Sequence, residues 1–216
     1  MNASPRELIF DLDDTLIHSF DGYVEMHQSI AAHVGLRVPS RDELVRYGPT
    51  WHDTLARMWP GEDLDPFFAR FEEIADDVPY PAVKGVPEML ERLAGRGHRL
   101  WIVTKRSRAR LDLRMLQAGL PTGCFSGIFP LEDQPHAKPD PRRFEPVWRA
   151  AGGQVPALYV GDRAEDHRAA TAAGLPFVAV RTGPEASFDR FPHGLDVHAN
   201  LDTAAALEGW LDTLSS

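Results

Sequence analysis

Asp11 and Asp13 stand two residues apart, directly after the apolar run Leu8-Ile9-Phe10. In extended backbone, side chains at i and i+2 point to one face. Two carboxylates so placed can divide one reaction, one attacking a phosphorus while the other handles the leaving-group proton. The pattern of an apolar run ending in a polar residue recurs. Trp101-Ile102-Val103 runs into Thr104, and Leu158-Tyr159-Val160-Gly161 into Asp162, with Asp166 following. Lys138 lies in the loop His136-Ala137-Lys138-Pro139-Asp140-Pro141. Gathered at one place, the carboxylates of Asp11, Asp13, Asp162 and Asp166 repel one another unless a cation is bound. All-oxygen ligands select a hard divalent ion, and Mg²⁺ takes one or two carboxylates plus a substrate phosphate. Thr104 and Lys138 can donate to phosphoryl oxygens, so phosphate transfer is the candidate reaction class.

Such a gathering requires a particular architecture. Compact apolar runs at Leu8–Phe10, Arg99–Val103, Gly127–Phe129, Ala157–Val160 and Phe177–Val180 predict buried strands. Between them, helical periodicity covers Val86–Leu93, Arg108–Gln117, a segment from Asp140 to about Ala151, and Ala164–Ala173. A terminal helix is predicted over Leu201–Leu214. Alternating strands and helices imply an α/β fold with a doubly wound parallel sheet, whose ligands bind beyond the carboxyl ends of the strands.

From about Tyr23 to Asp77 the periodicity is helical. Val24, His27, Ile30, Ala31 and Val34 share one face, and Ser40-Arg41-Asp42-Glu43 is a capping box. Asp65-Pro66 reads as an N-cap followed by proline, with Phe67, Phe68, Phe71 and Ile74 as the buried face behind it. This stretch is best read as an all-helical insertion covering one end of the sheet.

The chain has 216 residues, 43% of them apolar and 25% charged, which suits one domain, or one domain carrying a smaller inserted one. Its net charge of −9 argues against nucleic-acid binding through a bulk field. The single cysteine, Cys124, excludes a disulfide framework and is most simply a small apolar residue. The apolar runs are too short for a membrane span, and the N-terminus has neither signal-peptide nor transit-peptide character. The expectation is a cytoplasmic protein, monomer or homodimer, acting on a small phosphorylated substrate without nucleic-acid or membrane partners. Nine histidines are present, none with the paired spacing of a His-Glu-x-x-His metal site.

Together these motifs carry a resemblance. Asp11-Leu12-Asp13-Asp14-Thr15-Leu16 resembles the first motif of the haloacid dehalogenase superfamily, Val103-Thr104 the second, Lys138-Pro139 the third, and Gly161-Asp162 through Asp166 the fourth. The order is the family's, and the segment from Tyr80-Pro81 to Thr104 is similar to phosphoglycolate phosphatase-like members. The resemblance implies a Rossmann-like core at residues 1–16 and 83–216, with a helical cap at 17–82. It implies a phosphoric monoester hydrolase with Asp11 as nucleophile, Asp13 as general acid and then base, and Thr104 and Lys138 on the phosphoryl group. Mg²⁺ would be held by the Asp11 carboxylate, the Asp13 backbone carbonyl and Asp162, with Asp166 direct or through water.

Two departures leave the substrate open. Lys105-Arg106 stands where the second motif commonly continues with asparagine, and His18-Ser19 follows Ile17. Within the insertion, Arg46, Tyr47, Trp51, His52 and Arg57 are candidate substrate contacts. A phosphomutase with the same cap type is the alternative reading. A phospho-acceptor signalling domain is less favoured, because such domains lack a helical insertion after the first strand.

Overall fold

The computed structural model describes residues 6–46, 50–136, 138–153, 155, 157–188 and 191–214. In chain order the elements are β1 (Glu7–Phe10), α1 (Phe20–His33), α2 (Arg41–Val45), α3 (Trp51–Met58), α4 (Asp65–Ile74), α5 (Val86–Gly95) and β2 (Arg99–Val103). They continue with α6 (Arg108–Gln117), β3 (Phe125–Phe129), α7 (Glu145–Ala151), β4 (Ala157–Gly161), α8 (Ala164–Ala172), β5 (Phe177–Val180), β6 (Ala199–Leu201) and α9 (Leu207–Thr213). Two compact units result: Met1–His18 with Tyr80–Ser216, and Ser19–Pro79.

The first unit is a parallel sheet in the order β3-β2-β1-β4-β5-β6. The central strands are buried on both faces, which is why they read as continuous apolar runs rather than alternating ones. Register sets the height of the strand ends. Phe10 pairs with Ile102 on one side and Val160 on the other, so Asp11, Thr104 and Asp162 emerge at the same edge of three adjacent strands. The chain runs outward from β1 to β2 and β3, then returns to β4 on the opposite side of β1. Site residues therefore lie at the topological switch point.

Two expectations about elements are corrected here. Leu201 is not the start of the terminal helix; it ends the edge strand β6, and Arg181 N–H donates to its carbonyl. Helical backbone begins only with the 3₁₀ turn Ala204–Ala206 leading into α9. A strand as short as three residues leaves no alternation to read. The helix predicted from Asp140 is likewise two pieces. Asp140 caps the 3₁₀ turn Pro141–Phe144, its side chain accepting from Arg142 N–H, and α7 starts afresh at Glu145. Pro146 falls in the first turn of α7, where its missing N–H costs nothing.

In the second unit the predicted capping box is present: Glu43 N–H donates to Ser40 Oγ at 3.2 Å, and Ser40 N–H to Glu43 Oε2 at 2.9 Å. A second box, Thr50 with Asp53, opens α3, a helix its Thr-x-x-Asp signal could have located. Asp65 is the first residue of α4 and Leu64 its N-cap, one position earlier than read from the sequence. Tyr47 lies outside the described residues. Trp51 is half-buried and packs within this unit: its ring centroid is 4.4 Å from that of Phe71, and its indole N–H donates to His27 Nε2 at 2.9 Å. His52 packs beside Phe68 at 5.0 Å, and Arg57 donates to the Arg46 carbonyl.

His27 is fully buried, with Nδ1 2.7 Å from the Tyr23 carbonyl and Nε2 accepting from Trp51. Both ring nitrogens are therefore satisfied by the neutral tautomer. Burial pushes its pKa down to about 4, only partly opposed by the Tyr23 carbonyl. The unfolded chain binds a proton at His27 that the folded one refuses, so stability present above about pH 6.5 is lost as pH falls toward 4. We expect a loss of about 3 kcal/mol across that window. Urea unfolding of wild type and His27→Gln at pH 7 and pH 5 checks this: the wild type should lose more stability than the variant. Equal losses would remove His27 from the account.

Candidate active site

Asp11 continues the ladder, its N–H donating to the Val160 carbonyl at 2.9 Å. Beyond it the chain turns tightly: Leu16 and Ile17 N–H both return to the Leu12 carbonyl, and Asp14 takes a left-handed conformation with φ of 56°. Thr182, in the loop after β5, donates to the Asp14 carbonyl and ties that loop to the first motif.

The two carboxylates of the first motif have different partners. Asp11 Oδ1 accepts from Lys138 Nζ at 2.8 Å, deep in the protein. Asp13 is forked by Arg106, whose Nε donates to Oδ2 at 3.2 Å and Nη2 to Oδ1. Lys138 also bonds Asp166, so one ammonium joins carboxylates from opposite halves of the chain. Asp166 is held further by the Tyr159 hydroxyl at 2.8 Å and by Arg163 N–H at 3.1 Å.

Asp162 is the least satisfied member of the group. Thr15 Oγ1 donates to its Oδ1 at 3.4 Å, while Oδ2 is buried without a hydrogen-bond partner and has Arg163 Nε at 4.0 Å. Burial raises its pKa well above the carboxylate range; Arg163 opposes this, and Asp14, Asp166 and Asp11 add to it. Asp11 is pushed up to about 6, again mainly by burial, with Lys138 opposing. Asp166 shifts the other way: burial would raise it, but Lys138, with Arg143 and the Tyr159 hydroxyl, holds it below the ordinary carboxylate value. Lys138 is held protonated, its desolvation outweighed by Asp11 and Asp166.

Asp11, Asp162 and Asp166 each offer an oxygen within 4.8 Å of the others. This donor set fits a hard cation: it is all oxygen, and a buried orphan oxygen on Asp162 is a group that native proteins rarely leave without a partner. Asp13 contributes no side-chain oxygen to this cluster.

The walls are shaped for these carboxylates. A Cβ on Gly183 would lie 1.9 Å from Asp162 Oδ2, and one on Gly161 would lie 2.7 Å from Asp166 Cγ. Gly183→Ala should therefore displace the Asp162 carboxylate and cost about 1–3 kcal/mol. Gly123→Ala, where a Cβ meets nothing within 4 Å, is the control. Denaturant midpoints of the two variants check this; equal midpoints would mean that Asp162 is free to rotate away.

Thr104 is buried at the end of β2, with its N–H bonded to the Phe129 carbonyl and its Oγ1 accepting from Arg106 N–H at 3.1 Å. Gln134, a residue not anticipated from the sequence, donates to the carbonyls of Thr104, Phe129 and Pro130 and so closes the ends of β2 and β3. Arg143 was also missed; it is fully buried, and its Nη2 donates to the Val103 carbonyl at 3.2 Å. Its position after Lys138-Pro139-Asp140-Pro141 was visible, but nothing local distinguishes a buried arginine from a solvated one. Of the two basic residues after Thr104, Lys105 pairs with Glu165 at 2.7 Å and Arg106 with Asp13.

Among the described residues, no helix is long and apolar enough to cross a membrane. Residues 8–180 match the family model for Haloacid dehalogenase-like hydrolase. A phosphoglycolate phosphatase of Mesorhizobium japonicum is 39% identical over 191 residues, covering 82% of each chain. The pyrophosphatase PpaX of Bacillus pumilus is 31% identical over 203 residues, covering 89% of this chain and 92% of the relative. In fold, the chain is similar to the crystal structure of a predicted phosphoglycolate phosphatase from Haemophilus somnus, with a TM-score of 0.78 and 22% identity over 97% of this chain and 99% of that one.

Proposed function

Because the chain belongs to the haloacid dehalogenase-like hydrolase family, we propose that it hydrolyses a small phosphorylated metabolite through a phosphorylated Asp11. The observation that carries this reading is the Asp11–Lys138–Asp166 chain beside the orphan oxygen of Asp162. Relatives named phosphoglycolate phosphatase and pyrophosphatase support the substrate class.

Asp11 attacks the phosphorus with the oxygen not engaged by Lys138, and the bond to the leaving oxygen breaks as Asp13 gives that oxygen a proton. Water then attacks the phosphorus of the acyl phosphate, Asp13 takes its proton, and the bond to Asp11 breaks to release inorganic phosphate. Lys138 orients Asp11 and offsets charge accumulating on the phosphoryl oxygens, as does a hydrogen bond from the Thr104 hydroxyl. Mg²⁺ is the ion this donor set suits. Asp11, the Asp13 main-chain carbonyl and Asp162 would hold it, with Asp166 alongside, and it would supply charge neutralisation between nucleophile and phosphate.

The test is phosphate release from 4-nitrophenyl phosphate and a panel of phosphorylated metabolites with Mg²⁺ and with EDTA. Release in Mg²⁺ that EDTA abolishes is expected. An isomerised sugar phosphate without free phosphate would replace the hydrolase with a mutase. A long-lived phosphoprotein after acetyl phosphate treatment would replace it with a signalling domain.

A further inference from the structure

We propose that Arg106 is the receptor for a second anionic group on the substrate. The site would then select small phosphorylated compounds that carry a carboxylate or another phosphoryl group close to the transferred phosphorus. The inference rests on the hydrolase reading above and names its substrate class.

Position is the first argument. Lys138 is bonded to Asp11, the nucleophile, and so serves the phosphoryl group being transferred. Arg106 is bonded instead to Asp13, which must reach the leaving oxygen. A guanidinium beside the proton donor lies on the leaving-group side of the reaction.

Rigidity is the second. The Arg106 main chain is held at both ends, its N–H on Thr104 Oγ1 at 3.1 Å and its carbonyl accepting from Leu131 N–H at 3.0 Å. The guanidinium carbon sits 5.1 Å from the centre of the Tyr80 ring, and Tyr80 is only 4% exposed. Arg114 stands over the same ring at 4.4 Å, so a buried aromatic fixes where the charge can be.

Unused capacity is the third. Asp13 engages Nε and Nη2, leaving Nη1 with its two N–H groups outside the fork. The side chain keeps 16% of its surface, far less than a solvated arginine, which leaves it partly open to an incoming oxygen. Its neighbour Lys105 has its charge balanced by Glu165 at 2.7 Å. A planar guanidinium matches carboxylate and phosphate alike through paired N–H donors.

The test compares wild type, Arg106→Met and Arg106→Lys in Mg²⁺. The substrates are 2-phosphoglycolate and pyrophosphate, which carry a second anion, and ethyl phosphate and 4-nitrophenyl phosphate, which do not. In parallel, phosphonoacetate and ethylphosphonate are titrated as non-hydrolysable ligands. The kcat/KM preference for the two-anion substrates should fall by about 10–100-fold in Arg106→Met, mostly through KM. Arg106→Lys should fall in between, and phosphonoacetate should lose its binding advantage over ethylphosphonate. Preference for one two-anion substrate over the other identifies the second group as carboxylate or phosphoryl. An unchanged preference in Arg106→Met, or a wild type without one, would overturn the proposal and leave Arg106 as a positioning residue for Asp13. If no compound releases phosphate, the hydrolase reading has failed, while the phosphonate titrations still decide whether Arg106 receives a second anion.

Discussion

Asp11→Asn should reduce phosphate release by at least about 10³-fold, because an amide has no charged oxygen to attack phosphorus and no parallel route replaces the lost step. The variant should nonetheless fold. Burial already pushes the Asp11 carboxyl up to about 6, so near neutral pH its charge is held against its own preference. Linkage gives the sign: a carboxyl whose folded pKa is raised contributes stability at low pH that is lost as pH rises from about 4 through 6. Replacing it with a neutral isostere removes that loss, while Lys138 keeps Asp166 as a partner. Thermal unfolding at pH 7 in EDTA should therefore show a Tm no lower than wild type. Full turnover in Asp11→Asn would end the assignment of the nucleophile.

Lys138→Met should strike both stability and activity. The Lys138 side chain is 2% exposed and its ammonium lies between Asp11 and Asp166, whose side chains are 7% and 0% exposed. Removing the cation from a buried, bonded group of this kind costs about 3–5 kcal/mol, since two carboxylates are left facing each other in low dielectric. Loss of the donor to the phosphoryl group should lower kcat by a further factor of about 10²–10³. Urea unfolding in EDTA reads the first effect, and turnover well below the unfolding midpoint reads the second. The double variant Lys138→Met with Asp11→Asn should recover part of the stability, because the two groups share one interaction. Strictly additive costs, or a single-variant loss below about 1 kcal/mol, would mean that Lys138 does not hold this cluster together.

The different legibility of these residues has a physical origin. Strands buried on both faces have no alternation, yet their apolar runs end abruptly at the sheet edge, so Asp11, Thr104 and Asp162 announced themselves. Capping at Ser40 was visible because it is local chemistry over four residues. The edge strand β6 was not, since three residues carry no period, and the helix predicted from Leu201 takes in its last residue. Asp140 to about Ala151 reads as one helix in sequence; the structure has a 3₁₀ turn that ends just before a new helix begins, with Pro146 in that helix's first turn.

Within the candidate site, residue types alone offered paired carboxylates, a hydroxyl and an ammonium, because phosphate chemistry calls for functional groups with few substitutes. Pairings were beyond reach. Arg106 meets Asp13 across 93 positions, Lys138 meets Asp11 across 127, and Thr15 meets Asp162 across 147. Such separations are bridged by strand order and register, which no local pattern encodes. The same holds for Gly183, whose missing Cβ matters only because Asp162 lies against it. The amino-acid order thus determined the chemistry on offer and the edge where it collects. Only the tertiary structure decided which charge faces which, because that depends on neighbours brought together by folding.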